Sequence, residues 1–257
     1  MSLTLTLRAQ PPARVIAAPL IPERLRGLNA SAVAAVKLRC GGETVAAGDL
    51  FEVSGAGAGE EKLVLAGDLR RFDGIGAGMS SGEIETRGDV GAWGGAEMSG
   101  GVLRIVGDAG ARLGAAYPGA RVGMTGGEIV VSGDAGEEAG AGMRRGLVAV
   151  GGRTGAGAGL RMLAGTVIAL GGIGDEAGLG NKRGSLVSGR AVEPLPVYAL
   201  AIRFRPPALR LQLRRIRELG LPVGDELIGG SWSRWSGDRT ELARGEILIF
   251  DEEEVGA

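Results

Sequence analysis

The stretch Ile129-Val130-Val131-Ser132-Gly133-Asp134 joins a short apolar alternation to a Gly-Asp corner, and the chain repeats this arrangement several times. Successive corner glycines have spacings of 21, 19, 26, 19 and 19 in the numbering, so a base period of 19 carries additions of two and seven. A fixed period of roughly 20 residues is typical of a solenoid, in which each unit is stabilised by stacking on its neighbours. The six corners that define the period are Gly67, Gly88, Gly107, Gly133, Gly152 and Gly171.

Short apolar runs between glycine-rich bends predict about three short strands in each copy of the repeat. The fold class that follows is all-β, a single-stranded, right-handed parallel β-helix. Corner glycines are expected to adopt positive φ or to lie close to the neighbouring copy, so Gly133 and Gly152 should not tolerate valine. Because aromatic residues make up only 4% of the chain, the narrow core is expected to contain Ala, Val, Ile, Leu and Met.

The repeat and the two regions that flank it divide the chain into three predicted parts. Residues 1-60 form N-terminal strands and a cap, residues 61-190 the β-helix, and residues 191-257 a C-terminal helix and a closing strand. Pro206-Pro207 and Gly220 bound an apolar pattern with helical spacing. The helix and the closing strand are expected to cover the exposed end of the solenoid. The added residues around 115-120 should form a loop outside the repeat.

Composition argues against several classes of function. The 29 basic and 30 acidic side chains give a net charge of -1, which offers no general attraction for nucleic acid or an anionic membrane. No apolar run is long enough to span a membrane, and the single cysteine, Cys40, favours a reducing compartment, so we expect a cytoplasmic protein. Histidine is absent, which removes the commonest general base and transition-metal ligand. We therefore predict no catalytic residue and no metal site.

Two ligand-binding motifs can be considered and are disfavoured. Gly-x-Gly-x-Gly occurs at Gly55-Gly59, Gly74-Gly78 and Gly155-Gly159, but the order of residues matches no phosphate-binding loop. The Gly-Asp corners could form a column of calcium ligands, yet calcium-binding β-rolls need a ligand every nine residues. We expect each corner aspartate to bond the backbone of its own turn instead.

Two kinds of surface residue are candidates for recognition. Phe72 and Trp93 both lie five residues after a corner glycine and are expected to point outwards as a docking strip, although filling a small local core is an equal alternative. Trp232 and Trp235 are further candidates for contact with partner proteins. The basic pairs Arg144-Arg145 and Lys182-Arg183 are candidates for binding an anionic ligand.

The glycine-rich copies, such as Gly95-Ala96-Glu97-Met98-Ser99-Gly100-Gly101-Val102-Leu103, resemble the Gly-x-Gly-x-Gly family. That family includes the C-terminal domain of the glutamate synthase large subunit and the C subunit of formylmethanofuran dehydrogenase. The repeat resemblance covers about residues 49-189. The closing segments Gly237-Asp238-Arg239 and Gly245-Glu246-Ile247-Leu248 are similar to the end of the stand-alone C subunit.

The resemblance implies a non-catalytic scaffold in a hetero-oligomeric complex of one-carbon metabolism. The bacterial formyltransferase/hydrolase complex converts formyl-tetrahydromethanopterin to formate through a formylated methanofuran-type carrier, and methylotrophy is its setting. The family places catalysis in other subunits, so no cofactor is expected on this chain beyond contact of the basic pairs with the carrier's glutamate-rich tail. The alternatives are the C subunit of a tungsten or molybdenum formylmethanofuran dehydrogenase, a glutamate synthase-like module, and an independent β-helical enzyme.

Overall fold

The computed structural model describes residues 3–55 and 62–251, and strands dominate this part of the chain. Five short helices and a 3-10 turn accompany them: α1 (Pro22–Leu25), α2 (Ala30–Ala34), α3 (Ala47–Leu50), α4 (Pro207–Glu218), α5 (Asp225–Gly229) and the turn Arg239–Glu241. The strands are β1 (Leu3–Leu7), β2 (Val15–Ile16), β3 (Lys37–Cys40), β4 (Glu43–Ala46), β5 (Phe51–Ser54), β6 (Lys62–Ala66), β7 (Phe72–Asp73), β8 (Glu83–Arg87), β9 (Val102–Val106), β10 (Glu128–Val131), β11 (Leu147–Val150), β12 (Thr166–Ala169), β13 (Ser185–Ser188), β14 (Ala199–Phe204), β15 (Trp232–Gly237) and β16 (Gly245–Phe250).

Twelve of these strands form one large, mostly parallel sheet in the order β14-β15-β16-β13-β12-β11-β10-β9-β8-β6-β1-β5. The middle of the sheet contains the repeat, whose strands pair in parallel from β6 to β13. Strands from the two flanking regions extend it: β1 pairs with β6, and β16 pairs with β13. The outermost pairs, β1–β5 and β15–β14, are antiparallel. A second sheet has the order β4-β3-β2-β7.

The strand register matches the sequence period. Glu83 pairs with Val102, Val102 with Glu128, and Glu128 with Leu147, so the pairing follows the 19, 26 and 19 spacings of the corner glycines. Each predicted copy therefore aligns with the next, and the seven added residues change the length of a connection without shifting the strands. The expected loop is observed for residues 118-121, which are exposed, but Ala115 is buried and does not leave the repeat.

The prediction of three strands in each copy is wrong for most copies. One strand of four or five residues recurs, and a second line of contact consists of single-residue bridges such as Leu69 to Val90 and Val90 to Ala109. Turns and bends fill the rest of each copy. The density of glycine explains this result, since glycine bends the chain before an extended segment can lengthen.

The interior of the repeat contains the predicted aliphatic residues. Alternate strand positions point inwards, including Ile84, Leu103, Ile129 and Val148, which are fully buried. Five successive copies also contain a buried methionine at the equivalent position. These methionines are Met79, Met98, Met124, Met143 and Met162. The flexible methionine side chain can fill the irregular space that the glycine turns leave.

The C-terminal helix does not close the end of the sheet, so the expectation is wrong for the helix, whereas the closing strand β16 covers β13 as expected. Helix α4 lies against the outer face of β10 to β13, where Leu209, Leu213 and Ile216 pack in one cluster with outward-facing residues such as Val130 and Ile168. Burial of apolar surface explains the placement, because many outward positions of these strands are apolar, Ala149 and Val187 among them. Strand β16 instead continues the sheet, and β14 becomes its edge.

The corner glycines meet the expectation in two ways. Positive φ is found at Gly67, Gly88 and Gly107, whereas Gly133, Gly152 and Gly171 have ordinary φ and lie close to the neighbouring copy. A Cβ atom on Gly152 would overlap Oδ1 of Asp134 in the preceding copy. The expectation of own-turn bonding is confirmed at Asp68, which accepts from the N–H of Arg70. It is wrong at Asp134 and Asp108, because each accepts a hydrogen bond from a backbone N–H of the next copy, at 2.7 and 2.8 Å.

The helices are short compared with the thickness of a bilayer. None of those in the described ranges is long and apolar enough to cross a membrane.

The boundary between the first two predicted parts, at residues 60 and 61, falls outside the described residues. The three-part division therefore stays a prediction.

Candidate functional site

The two predicted basic pairs, Arg144-Arg145 and Lys182-Arg183, occupy equivalent corners of the repeat. The N–H groups of Arg144 and Arg145 both donate to the carbonyl of Met124, and the N–H of Lys182 donates to the carbonyl of Met162. The copy between them has Leu163 at the same corner, with its N–H bonded to Met143. At about 4.8 Å for each step along the sheet, the two basic pairs lie roughly 10 Å apart.

A surface groove of about 600 Å³ opens at these corners. Its cationic side chains are Arg144, Arg145 and Arg183, while Ala164 and Gly165 of the intervening copy add little bulk. The small residues matter because a larger side chain in that copy would fill the space between the arginines. The complete lining is Arg144, Arg145, Gly146, Leu163, Ala164, Gly165 and Arg183.

The three arginines of the groove carry uncompensated charge. All three are exposed, and within residues 3–55 and 62–251 none has an ion-pair or hydrogen-bond partner for its guanidinium. Lys182 differs, because its Nζ lies 3.4 Å from Oε2 of Glu241 and it does not line the groove. The structure thus brings together three of the four predicted cations. A guanidinium suits this role since its donors match a carboxylate in a two-point geometry.

Phe72 is not part of an outward strip, so that expectation is wrong. The side chain is 1% exposed, and its ring centroid lies 5.1 Å from that of Phe51. The cause is the two-residue addition in the first copy, which lies between the corner Gly67 and the next turn. Residues after the addition therefore lie two positions further from their corner than the equivalent residues of the later copies. Gly74, whose N–H donates to Ala92, is the true equivalent of Trp93, whose N–H donates to Ala111. Phe72 instead fills a small local core with Phe51, which was the alternative expectation.

Trp93 is the centre of a partly exposed aromatic and charged strip. Its ring stacks on Tyr117, with centroids 4.9 Å apart and an angle of 24° between the planes. The guanidinium of Arg112 lies 4.8 Å from the Trp93 ring, and Nε of Arg112 lies 3.0 Å from Oε2 of Glu138. The sequence did not single out Tyr117, because no signal in it showed that the inserted loop folds back over the repeat.

Three residues of this strip share an unusual backbone conformation. Trp93, Arg112 and Glu138 have φ values of 65°, 65° and 58°, in the left-handed region that favours glycine. These residues occupy the same turn in consecutive copies, and Gly157 fills that turn in the next copy with φ 71°. Their side chains therefore leave the repeat in parallel, which is how Arg112 reaches both its neighbours.

The two tryptophans near the C-terminus have different environments. Trp232 is 1% exposed; its Nε1 donates to the carbonyl of Leu227 at 3.3 Å, and its ring meets Phe250 edge to face at 5.3 Å. A surface role for Trp232 is therefore wrong. Trp235 is partly buried against the inner core and keeps some exposed surface. Its partner contact stays a prediction.

Two buried polar side chains near the C-terminal strands, Tyr198 and Asp238, have hydrogen-bond partners within the chain. Burial raises the pKa of Tyr198 to about 12, so its hydroxyl stays protonated and donates to the carbonyl of Gly178 at 2.9 Å. The buried Asp238 carboxylate accepts bonds from Thr240 and from the N–H of Gly180, which engages both its oxygens. In the part of the chain that the structure describes, no group of three or more Asp, Glu or Cys side chains could hold a metal ion.

Comparison with known proteins gives an extensive match to a solved structure. No protein-family model matches the chain, and neither does any curated protein. A chain in the crystal structure of the formyltransferase/hydrolase complex (FhcABCD) from Methylorubrum extorquens, solved in complex with methylofuran, is 30% identical. The match covers 96% of this chain and 98% of that chain, with a TM-score of 0.80. This chain therefore belongs to the family of subunits of the formyltransferase/hydrolase complex.

Proposed function

We propose that this chain is the C subunit of a formyltransferase/hydrolase complex and that it acts as a non-catalytic scaffold for the other subunits. The observation that carries the proposal is the match over 96% of the chain to a member of such a complex. The reaction of the complex would be conversion of formyl-tetrahydromethanopterin to formate through a methanofuran-type carrier, in the cytoplasm. The resemblance of the closing segment Gly245-Glu246-Ile247-Leu248 supports assignment as the C subunit.

The architecture that we propose for the scaffold is a right-handed parallel β-helix. The constant register of the parallel strands, with one strand in each copy, supports a coil in which each copy is one turn. The second line of bridges, from Leu69 through Val90, Ala109 and Ala135 to Thr154, supports the same stacking on another side of the coil. Such a coil is rigid, because every turn is bonded to two neighbours.

The absence of catalysis is proposed from the available side chains. The chain has no histidine, and the corner aspartates Asp108 and Asp134 are engaged with backbone N–H groups of the next copy. General acid–base catalysis requires a titratable pair positioned around a reacting group. The exposed surfaces described above instead present cations and stacked aromatic rings, which serve recognition.

The scaffold role predicts that the purified chain catalyses neither formyl transfer nor formyl hydrolysis, whereas the complex that contains it does both. The measurement is formate release from formyl-tetrahydromethanopterin by the chain alone, by the full complex, and by a preparation that lacks the chain. We expect no turnover in the first case and loss of a stable assembly in the third. Formate release by the chain alone, or an intact complex without it, would show that the scaffold proposal is wrong.

The groove of Arg144, Arg145 and Arg183 is proposed to hold carboxylates of the carrier's glutamate-rich tail. The neighbour complex was solved with methylofuran, which supports a carrier of this class. The residues fit a polyanion, because three guanidinium groups without a partner among the described residues line one groove, with small residues between them.

The carrier itself would supply the attachment point for the formyl group. The role of this chain would be to hold the tail in place by charge-assisted hydrogen bonds. Lys182 would add long-range attraction only, since Glu241 neutralises part of its charge.

Charge reversal of the groove tests this proposal. In the double variant Arg145→Glu/Arg183→Glu, we expect the affinity of the isolated chain for a fluorescent oligoglutamate peptide to fall by roughly tenfold at low salt, as about 1.4 kcal/mol would give. The difference should shrink as salt rises, because exposed charges are screened. Lys37→Glu/Arg39→Glu is the matched control, since both residues are exposed on β3 in the second sheet. Equal losses in the two double variants would argue against a specific groove.

A further inference from the structure

Strand β14 is an edge strand with an unused side. It ends the twelve-stranded sheet, and among the described strands its pairing partner is β15 alone. Within the described ranges, no backbone hydrogen bond outside that pairing involves residues 199-204. In an antiparallel pair, alternate residues direct their N–H and C=O groups away from the partner strand. The outer side of β14 therefore presents a row of backbone donors and acceptors that could bond another strand.

The side chains of β14 are unusually exposed for a strand. None of its six residues is buried, whereas every other strand of the large sheet contains buried positions. Leu200 and Ile202 are 49% and 53% exposed. The described part of the chain leaves these two side chains uncovered, so a bound partner would be able to bury them.

The charge around β14 indicates what that molecule presents. Residues 194-217 contain six arginines and no acidic residue. Arg215 and Arg217 form ion pairs with Glu128 and Asp225. Arg203, Arg210 and Arg214 are exposed and have no partner for their guanidinium groups among the described residues. An acidic surface would complement this region, and a basic one would be repelled.

We propose that another subunit of the complex adds a β-strand to the free edge of β14, with apolar side chains over Leu200 and Ile202 and acidic side chains towards Arg203 and the outer face of α4. The inference rests on the proposed function, because it needs the chain to be held in a complex. Strand addition supplies affinity through main-chain hydrogen bonds and specificity through alternate side chains.

A second copy of this chain is a poor occupant of the same edge. Pairing two β14 strands would bring the arginine-rich stretch of one copy against that of the other, which is unfavourable. Trp235, the other candidate for partner contact, is paired directly with Leu200, so the two candidate contacts adjoin.

Hydrogen exchange measures the proposed bonds directly. We expect amides of residues 199-204 that point away from β15 to exchange rapidly in the isolated chain and at least about tenfold more slowly in the assembled complex. Amides of β3, in the second sheet, serve as the reference within the same experiment. Exchange in β14 that is unchanged by assembly would overturn the proposal, since side-chain docking alone leaves those amides free.

Substitution of the apolar pair gives a second test in the complex. Leu200→Lys/Ile202→Lys is expected to weaken association of the chain with the other subunits by roughly tenfold or more, with an unchanged melting temperature of the isolated chain. Val106→Lys/Leu179→Lys is the matched control, because those side chains are 47% and 45% exposed elsewhere. Equal effects of the two variants, or a wild-type chain that dimerises through β14, would overturn the inference. Failure of the wild-type chain to enter the complex would instead contradict the proposed function.

Discussion

Gly152→Val is expected to lower the free energy of unfolding of the isolated chain by about 3 kcal/mol or more, the upper range for overpacking. The backbone at Gly152 has ordinary φ, so the cost comes from space. An added Cβ would overlap Oδ1 of Asp134 and would lie 2.9 Å from the carbonyl oxygen of Gly133. Both obstacles belong to the preceding copy of the repeat, and one of them is backbone that cannot rotate away.

The measurement is chemical or thermal denaturation of the isolated chain, with Gly42→Val as the control. Gly42 also lacks positive φ, but a Cβ there would have no atom within 4 Å. For a chain of this size we expect Gly152→Val to lower the melting temperature by roughly 10 °C. Equal melting temperatures for Gly152→Val and the wild type would contradict the observed stacking.

A double-mutant cycle separates the two obstacles. Asp134→Ala alone should cost about 1 kcal/mol, because the exposed N–H of Arg153 loses one hydrogen bond to the carboxylate. In the Asp134→Ala background, Gly152→Ala should be less costly than in the wild type by about 1 kcal/mol or more, since the overlapping oxygen is gone. Strict additivity would show that the carboxylate is not the obstacle.

Much of the large sheet was predictable because stacking imposes one length on every copy. Two strands can pair in register from one copy to the next only if each intervening turn uses the same number of residues, and insertions must leave the stack. The same logic relates Arg144 and Arg145 to Arg183, two copies further along. The same count gave the wrong equivalence for Phe72. The two added residues of the first copy precede this turn, so Gly74, and not Phe72, is equivalent to Trp93.

Other features depended on contacts between distant parts of the chain. The amphipathic pattern of α4 predicted a helix but could not indicate which surface it covers. That placement depends on outward residues of β10 to β13 that are apolar as well as buried, such as Val130, Ile168 and Val187. The stacking of Tyr117 on Trp93 similarly requires the path of an exposed loop. Such a path is set by tertiary contacts and not by local propensity.

Trp232→Ala is expected to lower the free energy of unfolding by about 3–5 kcal/mol, as is typical for a large aromatic side chain removed from a core. The indole is 1% exposed and lies in the outer cluster with Leu209, Leu248 and Phe250. Its N–H also bonds the carbonyl of Leu227, which would be left without this donor. Loss of the ring should therefore loosen the packing of α4 and α5 on the sheet.

Trp232→Phe and Trp235→Ala make the test selective. Trp232→Phe retains most of the ring volume and should cost much less than alanine, although it still removes the hydrogen bond to Leu227. Trp235→Ala removes a partly exposed side chain and should lower stability less than Trp232→Ala. The measurements are the melting temperature of each isolated variant and its incorporation into the complex. If Trp232→Ala left the melting temperature unchanged and impaired only assembly, Trp232 would be a partner contact after all, and the outer core described here would be wrong.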